Sequence, residues 1–478
     1  MAVTRATRVL SVLAAASLAF APAVPAAAQP STSPAPGAGM ATPPPLEPDF
    51  PLPEDTGGPD RNYVQKTQCV QSSGAASLTT IPWGQEILRF DEIERFGLTG
   101  KGQKVAVIDT GVSPHDYLGD RIEGGGDYVV AAENGLKDCD GHGTEVAGII
   151  AADPQNDEIG FRGIAPGANI LSIRQSSGNY EFQEENSNEK PLKAGNLSTL
   201  AQAIIRAANQ GATVINMSVD SCRPTSAGGI FPAEQQVQAA LRYAVEEKDV
   251  VVVASAGNLP EGDCTQQNSP DPLNPTWLVI PPWFSDYVLS VAAVQRDGAV
   301  ATFSLNGPWV SVAAPGTEII SLDPANTSSL ANRSVNEKGQ PQPIQGTSFA
   351  SPYVAGLAAL VREQYPELTA KQVMNRIKTT AAHPAANGGH DNLVGYGMIN
   401  PIAALTTFIP SEEGIARDKA VEVPFKMPPQ YERDWTPMKV AMIGSGGGVG
   451  LLLLTLFVVR TVRRNRREPE DTSPRHRF

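Results

Sequence analysis

The sequence predicts an α/β domain, a mostly parallel central sheet flanked by helices, followed by one C-terminal membrane-spanning helix. Three observations predict it. Short, unbroken β-branched runs recur between residues 104 and 294, as in strands covered on both faces. Amphipathic stretches, among them 200–209 and 233–247, lie between the runs, and such alternation gives parallel crossovers. Near the other end, Val440 to Val459 is 20 residues without a charge, about 30 Å of helix at ~1.5 Å per residue.

Composition bounds the function. Apolar residues are 41% of the 478, enough for a sizeable core, so global disorder is excluded. A net charge of −13 argues against a nucleic-acid binder, which needs a basic face. Four cysteines are too few to build the fold from disulfides.

In chain order, Arg5 and Arg8 precede an apolar run from Val9 to about Phe20, closed by Ala26-Ala27-Ala28. That is a secretory signal peptide, residues 1–28, too short to span a membrane. A Pro-rich extension, 29–79, follows. With 12 of the 41 prolines in the first 60 residues, 29 to about 60 should be extended rather than fold alone. The globular domain is placed at 80–409. Its strand runs are Lys104–Ile108, Ile170–Ile173, Thr213–Met217, Val250–Ala254 and Val288–Val294. Two polar stretches, 175–193 and 322–345, lack a repeating apolar face and read as solvated loops. The second directly precedes the Ser348 motif, where it is placed to shield a cleft or be clipped. A second Pro-rich linker, 410–439, leads into the span, 440–459. Lys439 stands before the span, and Arg460, Arg463, Arg464, Arg466 and Arg467 follow it. Arginine concentrates on the cytoplasmic side, so the tail, 460–478, is inside and the domain outside, a single-pass type I arrangement in the cell membrane. Gly444, Gly446, Gly448 and Gly450 give the span a small-residue face that suits a membrane partner.

Ligands of parallel sheets bind beyond the carboxyl ends of the strands, and reactive groups cluster there. The first run ends in Asp109-Thr110-Gly111. A second Asp-Thr-Gly, at Asp55, lies in the proline-rich arm where no strand holds it, so the paired carboxylates of an aspartic protease are excluded. Asp140-Gly141-His142-Gly143-Thr144 opens a helix. Cys139 and His142 lack a second ligand pair for a metal site. Val250–Ala254 runs into Ser255-Ala256-Gly257-Asn258, and Gly346-Thr347-Ser348-Phe349-Ala350-Ser351-Pro352 opens a long apolar helix, with Pro352 expected in its first turn. An esterase or lipase reading fails, because the G-x-S-x-G elbow and its residue order are missing.

These four motifs, in the order Asp, His, Asn, Ser, resemble those of the subtilase (peptidase S8) family over roughly residues 80–405. The resemblance implies a subtilisin-like three-layer fold and a serine endopeptidase. It implies that His142 takes the Ser348 proton, that Asp109 orients the imidazole, and that Asn258 with the Ser348 backbone N–H binds the oxyanion. No metal or organic cofactor is needed. Ser218, Val219 and Asp220 are implied in substrate pairing and the P1 pocket. Asp220 departs from the usual leucine and glycines, which favours a narrow processing protease acting on protein or peptide substrates.

The order of signal peptide, arm, protease, linker, span and basic tail further resembles the mycosins of actinobacterial type VII secretion. That resemblance implies the type VII secretion membrane complex as partner, with a structural role there as the alternative to catalysis. Four thiols permit three pairings; the resemblance implies Cys69–Cys139 and Cys222–Cys264. The first would clamp the arm to the domain, so that it is not a dissociating inhibitory propeptide.

Overall fold

The computed structural model describes residues 40–72, 79–156, 158–184, 190–260, 264–269, 271, 273–335, 340–414 and 434–466. The signal peptide, the start of the arm, most of the second linker and the end of the basic tail lie outside them. The chain divides into two units, Met1–Ile415 and Ala416–Phe478.

The first unit is built on seven strands: β1 Lys104–Asp109, β2 Ile122–Asp127, β3 Asn169–Arg174, β4 Val214–Met217, β5 Val251–Ser255, β6 Leu289–Val294 and β7 Val310–Pro315. They form one sheet in the order β7-β6-β5-β4-β1-β3-β2, with every neighbouring pair parallel. The predicted fold class is borne out. Five strands coincide with the apolar runs; β2 and β7 were not among them. β1 is an inner strand, paired along its length with β3, so that Lys104 faces Asn169 and Asp109 faces Arg174. Since all strands run one way, the residues after β1, β3, β4 and β5 emerge along one edge.

Helices α1 His142–Ala151, α2 Leu197–Asn209, α3 Pro232–Arg242, α4 Thr347–Gln364 and α5 Ala370–Thr379 cover the sheet. α2 starts where Asn196 accepts a hydrogen bond from the Thr199 N–H at 3.0 Å, a capping box that satisfies the first free donors. α1 packs on α4, and α4 lies against β4 to β7 with Thr347 through Arg362 all buried. Gly356 of α4 makes this closeness possible, since a Cβ there would press into Ile164.

The polar stretches carry structure. Ser177–Phe182 is a strand that pairs with Leu192–Ala194 on one side and with Val64–Gln65 of the arm on the other. Ser321–Leu322 pairs with Leu330–Ala331, and Arg333–Val335 with Pro341–Pro343. The solvated-loop reading is therefore corrected for these residues: backbone pairing holds them, which needs no apolar periodicity.

The arm is fastened to the domain at several points. Cys69 is joined to Cys139, with Cα atoms 4.3 Å apart. The second disulfide joins Cys222 to Cys264 beside an antiparallel pair, Ser221–Pro224 with Trp277–Ile280. The arm's Asp-Thr-Gly is a docking clip. Asp55 takes the Arg206 guanidinium at 3.0 Å and the Tyr128 hydroxyl at 2.7 Å, while Thr56 donates its N–H to Gln202 at 3.0 Å. Further back, the Met40 carbonyl accepts the Trp283 indole N–H at 2.9 Å.

In the second unit, α6 Thr436–Asn465 is one 30-residue helix, long and apolar enough to cross a membrane.

Candidate active site

Asp109 is the last residue of β1 and is fully buried. Its Oδ1 lies 2.7 Å from Nδ1 of His142, the first residue of α1. The Thr110 N–H donates to the same oxygen at 2.7 Å. The carboxylate therefore fixes the imidazole with its proton on Nδ1, leaving Nε2 as the basic nitrogen. The His142 side chain keeps 28% of its surface exposed, so it opens toward solvent at the sheet edge. Its ring leans on Phe349, centroids 5.0 Å apart. Gly143 has to be glycine, because a Cβ would collide with the Gly111 carbonyl, and that approach brings the His142 turn onto the Asp109 turn.

Ser348 is the second residue of α4 and is 7% exposed. Its Oγ and the Asn258 Nδ2 converge on the space above the Gly346 Cα: a Cβ there would stand 3.1 Å from the first and 3.7 Å from the second. Asn258 follows β5, and its amide orientation is set from behind. Oδ1 accepts the Thr347 N–H at 2.8 Å and the Thr347 hydroxyl at 3.0 Å, which leaves the NH2 on the side of the space above Gly346. Thr347 was not singled out from the sequence; a pair 89 residues apart leaves no local signal.

Pro352 is the sixth residue of α4, beyond the first turn where the sequence reading put it. It lacks the N–H that would bond the carbonyl four residues back, which is that of Ser348. Ser218 fills the gap, its hydroxyl donating to the Ser348 carbonyl at 3.0 Å while accepting from Asn216 Nδ2 at 3.0 Å. The Ser218 side chain thus braces the Ser348 backbone rather than facing outward. Val219 packs on the core. Asp220 sits by the second disulfide, Oδ1 3.9 Å from Cys264 Sγ and Oδ2 3.6 Å from where a Cβ on Gly257 would stand, next to Asn258. Asp220, Cys222 and Cys264 lie together, but both sulfurs are in the disulfide and offer no thiolate to a metal.

Buried acids surround the Asp109–His142 pair. Burial pushes Glu145, in the first turn of α1, up to about 8, with Asp138, Asp109 and Asp323 adding to the rise and His142 opposing it. Burial likewise pushes Asp138 up to about 7, against the hydrogen bonds from Thr144. Neither residue was a sequence candidate.

A buried carboxylate, an oriented imidazole, a serine hydroxyl at a helix start and a carboxamide donor thus meet at one sheet edge, the set of groups that acyl transfer through a serine uses. The subtilase family model matches residues 100–397. Mycosin-1 of Mycolicibacterium smegmatis is 39% identical over 409 residues, covering 82% of this chain and 88% of that protein. The crystal structure of MycP1 from Mycobacterium smegmatis superposes with a TM-score of 0.69 at 39% identity, covering 78% of this chain and 97% of that one. A chain in the periplasmic assembly from the ESX-5 inner membrane complex gives a TM-score of 0.71 at 39% identity, covering 81% and 99%. The chain belongs to the subtilase family of serine proteases and, within it, to the mycosins.

Proposed function

We propose that the chain is a membrane-anchored serine endopeptidase that processes a narrow set of proteins handled by a type VII secretion system. The observation that carries the catalytic part is the 2.7 Å Asp109–His142 contact with Ser348 Oγ and Asn258 Nδ2 turned to a common point. In this reading His142 Nε2 takes the Ser348 proton as Oγ attacks a peptide carbonyl. Asp109 holds the tautomer and balances the imidazolium that forms. The Asn258 amide and the Ser348 N–H, at the positive end of α4, receive the oxyanion. His142 then passes its proton to the leaving amine, and water releases the acyl group by the reverse path. Asp220, beside the Asn258 turn, narrows the P1 pocket or disfavours acidic side chains there.

The apolar helix α6, with arginines gathered at its C-terminal end, supports anchoring with the domain on the extracytoplasmic side. The domain boundaries read from the sequence belong to the same proposal. The likeness to a chain of the ESX-5 inner membrane complex favours a second role, as a structural part of such a complex. Digestion of a secreted-protein mixture by the full chain and by Ser348→Ala tests the reading. New termini made by the wild type alone support it; identical fragment sets contradict the protease role. Secretion sustained by Ser348→Ala would favour the structural one.

A further inference from the structure

We propose that Asp138 is a positioning residue, an ionised carboxylate that sets the distance between Asp109 and His142 by binding the turns that carry both. The inference rests on the catalytic reading above and adds a residue that this reading does not contain.

Asp138 is 5% exposed and receives four hydrogen bonds. Its Oδ1 accepts from the Thr110 hydroxyl at 2.9 Å and from the Gly141 N–H at 2.7 Å. Its Oδ2 accepts from the Thr144 N–H at 2.8 Å and from the Thr144 hydroxyl at 2.7 Å. Thr110 adjoins Asp109, and Gly141 and Thr144 bracket His142. One carboxylate therefore staples the end of β1 to the start of α1, across the gap that the Asp109–His142 contact spans.

The direction of each bond is fixed by what lies beyond it. Thr110 Oγ1 accepts the Gly143 N–H at 3.0 Å, so its own proton points to Asp138. Thr144 Oγ1 accepts the Ser113 N–H at 3.0 Å, so its proton points there too. Two backbone N–H groups and two hydroxyls aim at two oxygens, and no lone pair is left for a proton. Protonation would break one bond of the staple. The titratable groups facing Asp138 are Asp109 from β1, Asp140 from its own loop, and His142 and Glu145 from α1. The acids oppose its ionisation, as burial does, and the four donors favour it. The loop itself is held from below, where buried Arg174 at the end of β3 donates to the Lys137 carbonyl at 3.0 Å and to Asp127 at 3.1 Å.

An asparagine at 138 turns an NH2 group toward two donors and must open one side of the staple. The test uses the full chain in detergent, a fluorophosphonate probe, and the far-downfield proton resonance of the His142 Nδ1–H shared with Asp109. For Asp138→Asn the limiting labelling rate should fall about 10²-fold with the probe's apparent affinity unchanged, as misplacement of a base by about 1 Å does. Its downfield proton should weaken or vanish, and the acid limb of the labelling profile should move. Thr144→Val, which removes one hydroxyl, should give an intermediate loss, and Thr144→Ser should restore the wild-type rate and resonance. If Asp138→Asn does not fold, Thr144→Val decides, its melting being checked beside the rate. Labelling and resonance unchanged in folded variants would overturn the proposal. A wild type that fails to label but loses its downfield proton in Asp138→Asn would sink the protease reading and leave Asp138's positioning role supported.

Discussion

Glu145→Gln should stabilise the protein progressively as pH rises. Glu145 is buried, 4% exposed, in the first turn of α1, and its carboxyl is pushed from 4.5 to about 8. The folded chain thus keeps a proton that the unfolded chain releases. Below about pH 4.5 both states carry it, and the group costs nothing. Between about 4.5 and 8 stability falls as pH rises, because only the unfolded state gains by ionising; above about 8 both are ionised and the loss levels off. At 1.36 kcal/mol per pH unit, the window from about pH 5 to pH 9 amounts to about 4 kcal/mol. The isosteric amide has no proton to lose, so the stability of Glu145→Gln relative to wild type should grow by that order over the window. Asp138 contributes to the pH dependence of both proteins and largely cancels in the difference. Urea unfolding of the full chain in detergent, followed by tryptophan fluorescence at several pH values, measures it. A difference that stays flat from about pH 5 to pH 9 would refute the placement of a neutral Glu145 beside His142.

Three other outcomes are expected. Asn258→Ala, which removes the side-chain donor above Gly346, should lower kcat on a cleaved peptide about 10²–10³-fold with KM little changed. Gly143→Ala should cost at least about 10²-fold in kcat with the fold retained in circular dichroism, since its Cβ meets the Gly111 carbonyl and separates the two turns. Asp55→Ala leaves the Tyr128 hydroxyl and Arg206 without their carboxylate, a loss of about 1–3 kcal/mol. Amide exchange across residues 56–66 should then speed up by about tenfold or more while α4 stays protected.

Much of the fold was legible because its central strands are buried on both faces. Val250 to Ala254 and Val288 to Val294 need no polar face, so continuous apolar runs betray them. β2 escaped because Ile122–Asp127 contains Gly124, Gly125 and Gly126, which carry no apolar or β-branched strand signal. The glycines are required by packing: a Cβ on Gly125 would stand 2.7 Å from Leu171 of the neighbouring strand. In β7, Ala313, Ala314 and Pro315 dilute the β-branched signal of Val310 and Val312. At the site, Asp109, His142, Asn258 and Ser348 were readable because each stands in its own short motif at an element's end. The groups that orient them were not. Thr347 behind Asn258, Ser218 behind the Ser348 carbonyl, and Asp138 between the Asp109 and His142 turns act across folded contacts. The role of Ser218 follows from Pro352 only once helix α4 is known to begin at Thr347. Asp55-Thr56-Gly57 shows the converse, a motif with a chemical look whose carboxylate serves to dock the arm.

In the proposed function Asp109, His142, Asn258 and Ser348 form an assembled nucleophilic site. Its most direct test is fluorophosphonate labelling of the full chain, followed by mass spectrometry of the modified peptide. One adduct is expected on Ser348, abolished in Ser348→Ala and slowed by Asn258→Ala. Absence of labelling in folded wild type, or an adduct on another serine that persists in Ser348→Ala, would contradict it.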